Sequence, residues 1–300
     1  MAALFRSHFF PLWESSYYEC AKVNSIRYGK GLHMITSASN QQAKNLSALL
    51  KKSKERRKQK VFVAEGTRMV QETPRELLQA VYVSEGYAKN PQFEKLCRQF
   101  QSCVPDIVYE VMSDSVFQRV SDTQTPQGIM AVVKQPSYQL EELVRGEDTM
   151  LLVLDSIQDP GNLGTMIRTG EGAGITGVIM NPSTVDLFNP KTVRSTMGSM
   201  YRVPFYISQD LIHTLKELKE KNHIEFFAAH LDGTAMYDAF DYRGPCGFLI
   251  GNEGNGLSDE VARCANQFIR IPMEGKVESL NAAVAASLLM YESNRQRRQP

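Results

Sequence analysis

The 300-residue chain has no apolar run near the ~18 residues a membrane span needs. Its longest candidates, Met150–Leu154 and Ala282–Met290, are too short or interrupted by Ser287. Near the start, Phe9, Phe10, Leu12 and Trp13 look apolar, but Arg6, His8 and Pro11 break the run and make it a poor secretory signal. There are five cysteines, an odd number with no C-x-x-C pair. That excludes a disulfide framework and a cysteine zinc site, and favours a reducing, cytoplasmic setting. The five histidines fall at no ligand spacing, so no metal is expected. Net charge is only +1, so any affinity for polyanions has to be local.

Apolar residues make up 42% and charged residues 22%, an ordinary globular balance and not a disordered one. The length suggests about two domains. Charge is concentrated in one place. From Lys44 to Lys60 there are eight Lys or Arg against one Glu, and Lys51, Lys52, Lys54, Arg56 and Arg57 are candidate contacts to a polyphosphate. The plainer alternative is a solvated helix end. The basic C-terminus (Arg295, Arg297, Arg298) reads as a frayed end.

Residues 1–33 have weak periodicity and scattered aromatics. The codons for Gly29-Lys30-Gly31 must be purine-rich, like a bacterial ribosome-binding site, and sit just ahead of Met34. The expectation is a translated leader over 1–33 and a native start at Met34. Caps at Thr36–Asn40 open a helix running from about Gln41 into the basic stretch. A small α/β domain over 34–135 follows, with strands at Val61–Ala64, Leu78–Val83, Ile107–Val111 and Gly128–Val133 and helices at Glu65–Glu72, Pro91–Phe100 and Asp114–Arg119. Residues 136–149 read as a linker. From 150 to 300 near-continuous apolar strands alternate with helices, as in a mostly parallel α/β sheet: Met150–Asp155, Gly177–Met180, Val203–Ile207, Glu225–Ala229, Gly247–Ile250 and Phe268–Ile271. Asp159-Pro160 and Asn189-Pro190 open helices, another spans Ser208–Glu220, and a last one is expected from a Ser279 cap to about Ser293.

Gly172–Gly177 matches G-x-G-x-x-G formally, but its glycines end a helix and lead into a strand, the reverse of a dinucleotide fingerprint. Three other patterns carry more. Residues 159–174 give N-x-G-x-x-x-R-x-x-x-x-x-G with Asn162, Gly164, Arg168 and Gly174. Gly161, Gly164 and Arg168 share a helix face, where small residues admit a close neighbour and an arginine can hold phosphate. Residues 248–257 run from an apolar strand into Gly251, Glu253, Gly254 and Gly256, a loop with exposed N–H groups. Residues 271–285 pass from Ile271 through a Gly-containing loop to Ser279 and Asn281 at a helix start, a place that binds anions. Taken singly, these also read as a surface arginine, a tight turn and a well-capped helix.

In this order and at strand ends late in one domain, the three motifs resemble the SpoU or TrmH family of RNA ribose 2′-O-methyltransferases. Residues 35–46 (ITSASNQQAKNL) and 125–133 (TPQGIMAVV) resemble the substrate-binding domain that often precedes the catalytic one. One departure is Gly170, where the family usually has Ala; in a helix that costs about 1 kcal/mol.

The resemblance implies a C-terminal trefoil-knotted α/β domain, a homodimer, and S-adenosyl-L-methionine as cofactor. The cofactor loops would be 249–256 and 271–280, with the 229–232 strand end nearby. Leu249, Gly251, Asn252, Gly256, Ile271, Met273 and Leu280 would hold the cofactor, largely through backbone. Arg168 would be the catalytic arginine, acting as phosphate clamp and stabiliser of the developing alkoxide, because a free guanidinium (pKa above about 12) barely deprotonates. Asn162 would orient Arg168 or the RNA. Glu253 would pair with the arginine or brace the loop. Ser279 and Asn281 would hold the loop and the attacking ribose. The partner would be structured RNA, with ribosomal RNA favoured. Transfer RNA, and an assembly factor that kept the fold and lost transfer, are the alternatives.

Overall fold

The computed structural model describes residues 34–101, 108–230, 233 and 235–299. The expected leader over 1–33 lies outside the described residues, as do Ile107 of one expected strand and residues 231–232 of the expected cofactor region. Residues 33–300 form one compact unit.

α1 (Gln41–Lys51) starts where the Asn40 carboxamide oxygen accepts from the backbone N–H groups of Gln42 and Ala43. It buries Ala43, Leu46, Leu49 and Leu50. The helix runs from Gln41 into the basic stretch as expected and ends there, at Lys51. Lys52 is extended at φ −124°, and α2 (Ser53–Gln59) starts afresh. Arg56 fixes the break, its guanidinium donating to the carbonyls of Leu49 (2.7 Å) and Leu50 (3.2 Å) at the end of α1.

β1 (Val61–Glu65) is buried at every position, and its last residue, Glu65, stays in the strand instead of opening the next helix. α3 (Thr67–Gln71), β2 (Leu78–Ser84), α4 (Glu85–Ala88), α5 (Pro91–Gln101), β3 (Val108–Met112), α6 (Asp114–Val120) and β4 (Ile129–Lys134) complete the first sheet, ordered β1-β4-β2-β3. Only β2 and β3 are parallel.

The segment expected as a linker is packed. It makes two short 3-10 turns at Leu140–Leu143 and Gly146–Asp148. Leu143 is fully buried, and a Cβ on Gly177 would lie 2.2 Å from its Cγ.

The second sheet is built from β5 (Met150–Leu154), α7 (Pro160–Ala173), β6 (Gly177–Met180), α8 (Pro190–Thr196), β7 (Phe205–Ile207), α9 (Leu211–Asn222), β8 (Glu225–Ala229), β9 (Ala235–Met236), β10 (Cys246–Ile250), α10 (Asp259–Ala262), β11 (Gln267–Arg270) and α11 (Ala282–Arg297). Every pair is parallel and the order is β7-β6-β5-β10-β8-β11-β9. β5 and β10, side by side at its centre, are buried throughout, which explains their continuous apolar sequences. Gly174 ends α7 at φ 87°, so the GAGITG glycines do stop a helix.

The two sheets share one core. Phe62, Val81, Val83 and Ala131 of the first pack in the same apolar cluster as Leu152, Leu154, Phe188 and Tyr201 of the second. Phe62 and Phe188 lie 5.1 Å apart between ring centres. At the far end, Arg297 is not frayed. It donates to the carbonyls of Tyr242, Asp148, Thr149 and Gly244, tying α11 to the segments that lead into β5 and β10.

Candidate active site

In an open parallel sheet, ligands bind beyond the carboxyl ends of the strands, where the strand order reverses. Here the order reverses at β5 and β10. From β5 the chain climbs to β6 and β7 on one side, and β8, β11 and β9 lie on the other. The loops 155–159 and 251–258 leave those two carboxyl ends, and the segment 271–281 leaves β11 in the same direction.

α7 begins on Asp159, whose Oδ1 accepts from the Asn162 N–H at 2.8 Å, with Pro160 in the first turn. Asn162 then joins two loops. Its Nδ2 donates to Glu253 Oε1 at 2.9 Å, and its Oδ1 accepts from Asn281 Nδ2 at 3.0 Å. Residues from all three motifs therefore meet in one row, Glu253–Asn162–Asn281. Asn162 makes no hydrogen bond to Arg168 among the described residues; its carboxamide bonds Glu253 and Asn281 instead.

Glu253 also accepts from the backbone N–H groups of Gln158 (3.0 Å) and Asp159 (3.1 Å). It braces the loop against α7 and makes no pair with Arg168. Partial burial pushes its carboxyl pKa up, but the donors, Asn162 and Gln158 foremost, outweigh that and hold it below the ordinary glutamate value. The backbone donor from Asn162 is offset in part by desolvation at Asp159, and with Lys191 beside it that carboxyl is also held low.

Arg168 stands on α7 with its side chain exposed and without a hydrogen bond or ion pair among the described residues. Its face of the helix carries the glycines, but the close neighbour they admit is α8, not a ligand. A Cβ on Gly164 would lie 2.4 Å from the Ser195 Cβ and 2.8 Å from the Thr192 carbonyl. The arginine projects beyond this packed seam as an unpartnered cation.

Asn281, expected in the first turn of the last helix, is its N-cap; its Oδ1 accepts from the N–H groups of Ala283 and Val284. The expected cap, Ser279, stays in the exposed loop, where its hydroxyl meets no partner among the described residues. Of the cofactor candidates, Leu249 drops out as a side chain. It is fully buried in β10 with its backbone paired to β5 and β8. The Asn252 side chain accepts from Gly254 and Asn255 N–H within its own loop and donates to the Ser156 carbonyl in the loop after β5. Gly251 has no room for a side chain: a Cβ would lie 2.1 Å from Gly256 C and Leu257 N. Gly256 faces open space, and Ile271, Met273 and Leu280 are half-buried.

In the basic segment, Lys51, Lys52, Lys54 and Arg57 are exposed. Arg56 is the exception and leaves the RNA-binding set. It is 3% exposed and bonds Asp186 at 2.6 Å. Its periodicity matches its neighbours', and only the distant Asp186 distinguishes it. Sequence reading also misses Asp155, Gln158 and Asn181 beneath the site, and Lys191, whose Nζ lies 3.2 Å from Asp159 Oδ2. The bonds that place them in the site reach partners 25 to 103 positions away, beyond any local pattern.

Residues 149–291 match the SpoU rRNA Methylase family and residues 40–131 the MRM3-like substrate binding domain. The chain is similar to the 23S rRNA (guanosine(2553)-2′-O)-methyltransferase RlmP of Bacillus subtilis, with 33% identity over 87% of this chain and 98% of that one. The chain belongs to the SpoU rRNA methylase family. Among solved structures, the AdoMet-bound rRNA methyltransferase from Sinorhizobium meliloti has a TM-score of 0.76 and 31% identity, covering 87% of this chain and 97% of that one. AviRb, a SpoU methyltransferase from Streptomyces viridochromogenes, has a TM-score of 0.77 in complex with AdoMet and 25% identity, covering 87% and 99%.

Gly170, where the resemblance leads one to expect Ala, has a packing reason. A Cβ there would lie 2.3 Å from Ile175 Cδ1 and 3.0 Å from its Cγ1, and the Gly170 carbonyl accepts from the Ile175 N–H. The glycine makes room for the turn that ends α7.

Proposed function

We propose that the chain transfers a methyl group from S-adenosyl-L-methionine to a ribose 2′-hydroxyl of structured RNA, with ribosomal RNA as the substrate class. The observation that carries this reading is the row Glu253–Asn162–Asn281, which joins the three motif segments at the start of α7, the helix whose exposed Arg168 has no hydrogen bond or ion pair among the described residues. The methyl group comes already activated on the cofactor's sulfonium, so the chain's task is alignment and charge. An adenosyl group suits the residues present. Ile271, Met273 and Leu280 offer half-buried apolar surface, and Gly256 and Gly275 have open space where a side chain would be.

In this reading Arg168 binds the phosphate next to the target ribose and stabilises the oxygen as it takes the methyl group from the sulfonium and gives up its proton to solvent water. Glu253 and Asn162 hold loop 251–258 against α7. Asn281 fixes the start of α11, and Ser279, in the loop before it, faces the ribose. Residues 34–135 supply the RNA grip, with Lys51, Lys52, Lys54 and Arg57 on its exposed face. The same reading carries the trefoil knot, supported by the return of the chain after β11 to α7, where Asn281 meets Asn162. It also carries a homodimer, supported by the exposed apolar stripe Val284, Leu288 and Tyr291 on α11. The expected setting is the cytoplasm; among the described residues no helix is long and apolar enough to cross a membrane.

The test is incubation of the purified chain with methyl-labelled cofactor and total RNA from a strain lacking the gene, followed by size fractionation. Label in a ribosomal RNA supports the reading. Label confined to transfer RNA keeps the chemistry and overturns the substrate class. Cofactor binding with no label in any fraction supports the assembly-factor reading instead.

A further inference from the structure

Asp155 follows β5 and is 5% exposed, yet among the described residues no Lys, Arg or His pairs with it. Burying a carboxylate is costly unless its oxygens are bonded. Here four donors meet them. Oδ2 accepts from the backbone N–H of Ser258 at 2.9 Å and from its hydroxyl at 2.7 Å. Oδ1 accepts from Asn181 Nδ2 at 2.8 Å and from the Ser156 hydroxyl at 3.1 Å. The donors belong to three different loops, those that follow β5, β6 and β10.

Asn181 extends the hub. Its Oδ1 accepts from the Ser156 N–H at 3.1 Å and from the Thr184 N–H and hydroxyl at 3.1 and 2.9 Å. Ser156, so held, has a φ of 60°, a backbone state that non-glycine residues adopt only when their surroundings enforce it. The Ser156 carbonyl then accepts from Asn252 Nδ2 at 2.9 Å and from Gln158 Nε2 at 3.0 Å. Loop 251–258 is thereby tied at both ends to one buried hub, through Asn252 to Ser156 and through Ser258 to Asp155.

We propose that Asp155 is a positioning residue that sets the shape of loop 251–258 before the cofactor arrives, so that removing its charge weakens cofactor binding more than it slows transfer. A loop already shaped for its ligand loses less freedom on binding. The proposal rests on the S-adenosylmethionine reading above, and its first readout needs no ligand.

Asp155→Asn keeps the size of the side chain and turns one acceptor into a donor facing donors. In the cofactor-free protein, hydrogen exchange across 251–258 is expected to speed up about tenfold, while exchange in β1 stays as it was. By calorimetry, the Kd for S-adenosylmethionine is expected to rise about tenfold, while turnover at saturating cofactor falls less than about threefold. Ser258→Ala removes only the hydroxyl donor and guards against a folding defect; it should shift exchange and Kd the same way by about threefold. Unchanged exchange and Kd in both variants would overturn the proposal. So would faster exchange throughout the chain, or a turnover loss at saturation with Kd unchanged. If the wild-type chain binds no S-adenosylmethionine, the cofactor reading fails, and the exchange measurement still decides whether Asp155 anchors the loop.

Discussion

The guanidinium of Arg56 lies 2.6 Å from the carboxylate of Asp186, joining the basic helix α2 to the segment that leads into α8. The same guanidinium caps the last carbonyls of α1. Removing one partner of such a pair strands the other, so Arg56→Ala is expected to cost about 3 kcal/mol in stability, the lower end for a buried pair because Asp186 is partly exposed. Chemical denaturation checks this. A loss below about 0.5 kcal/mol would return Arg56 to the solvated surface.

The exposed cations beside it behave differently. Replacing Lys51, Lys52, Lys54 and Arg57 with Gln is expected to leave stability nearly unchanged and to weaken RNA binding across sequences. The log–log salt slope should flatten by about one unit for each phosphate that is no longer neutralised. Filter-binding titrations across a salt series provide the check; an unaltered slope would show that this face does not touch the phosphates.

Glu253 predicts a pH dependence. Its folded pKa is depressed, so the stability its hydrogen bonds contribute is complete above the unfolded glutamate value of about 4.3 and is lost as pH falls through the lower folded value. Hydrogen exchange of residues 251–258, corrected for its intrinsic pH dependence, should report loosening of that loop in this acid window. Glu253→Gln should already be loosened at neutral pH and insensitive to the window.

At Gly170, helix propensity and packing oppose each other. Propensity alone predicts that Gly170→Ala gains about 1 kcal/mol. The 2.3 Å approach of Ile175 Cδ1 predicts a net loss instead. In a double-mutant cycle with Ile175→Val, which removes that methyl group, the alanine should become favourable and the two changes strongly coupled. Additive effects would mean that the turn at the end of α7 relaxes freely.

These cases also mark what can be read from the sequence. The buried strands β5 and β10 are legible because strands covered on both faces must be apolar throughout. Asn162, Glu253 and Asn281 are legible as motif members, but not as one hydrogen-bonded row, because their bonds span 91 and 119 positions. Arg56 looks like its neighbours because charge periodicity cannot distinguish a solvated cation from one whose partner lies 130 positions on. The packed segment 136–149 resembles a linker because its acidic surface residues mask anchors that lie scattered among them, Leu143 and Thr149 fully buried and Tyr138, Leu140 and Val144 partly so. Ser279 reads as the cap because a serine looks equivalent to an asparagine two residues later, and only the backbone shows which side chain reaches the free N–H groups.

The most direct test of the account is the position of the transferred methyl group. RNA labelled by the purified chain would be digested to nucleosides and separated by mass spectrometry, with Arg168→Ala run in parallel. The account predicts label on the ribose 2′-oxygen, and at least about a 100-fold fall in turnover for Arg168→Ala with cofactor affinity little changed. A methyl group on a base, or undiminished transfer by Arg168→Ala, would contradict it.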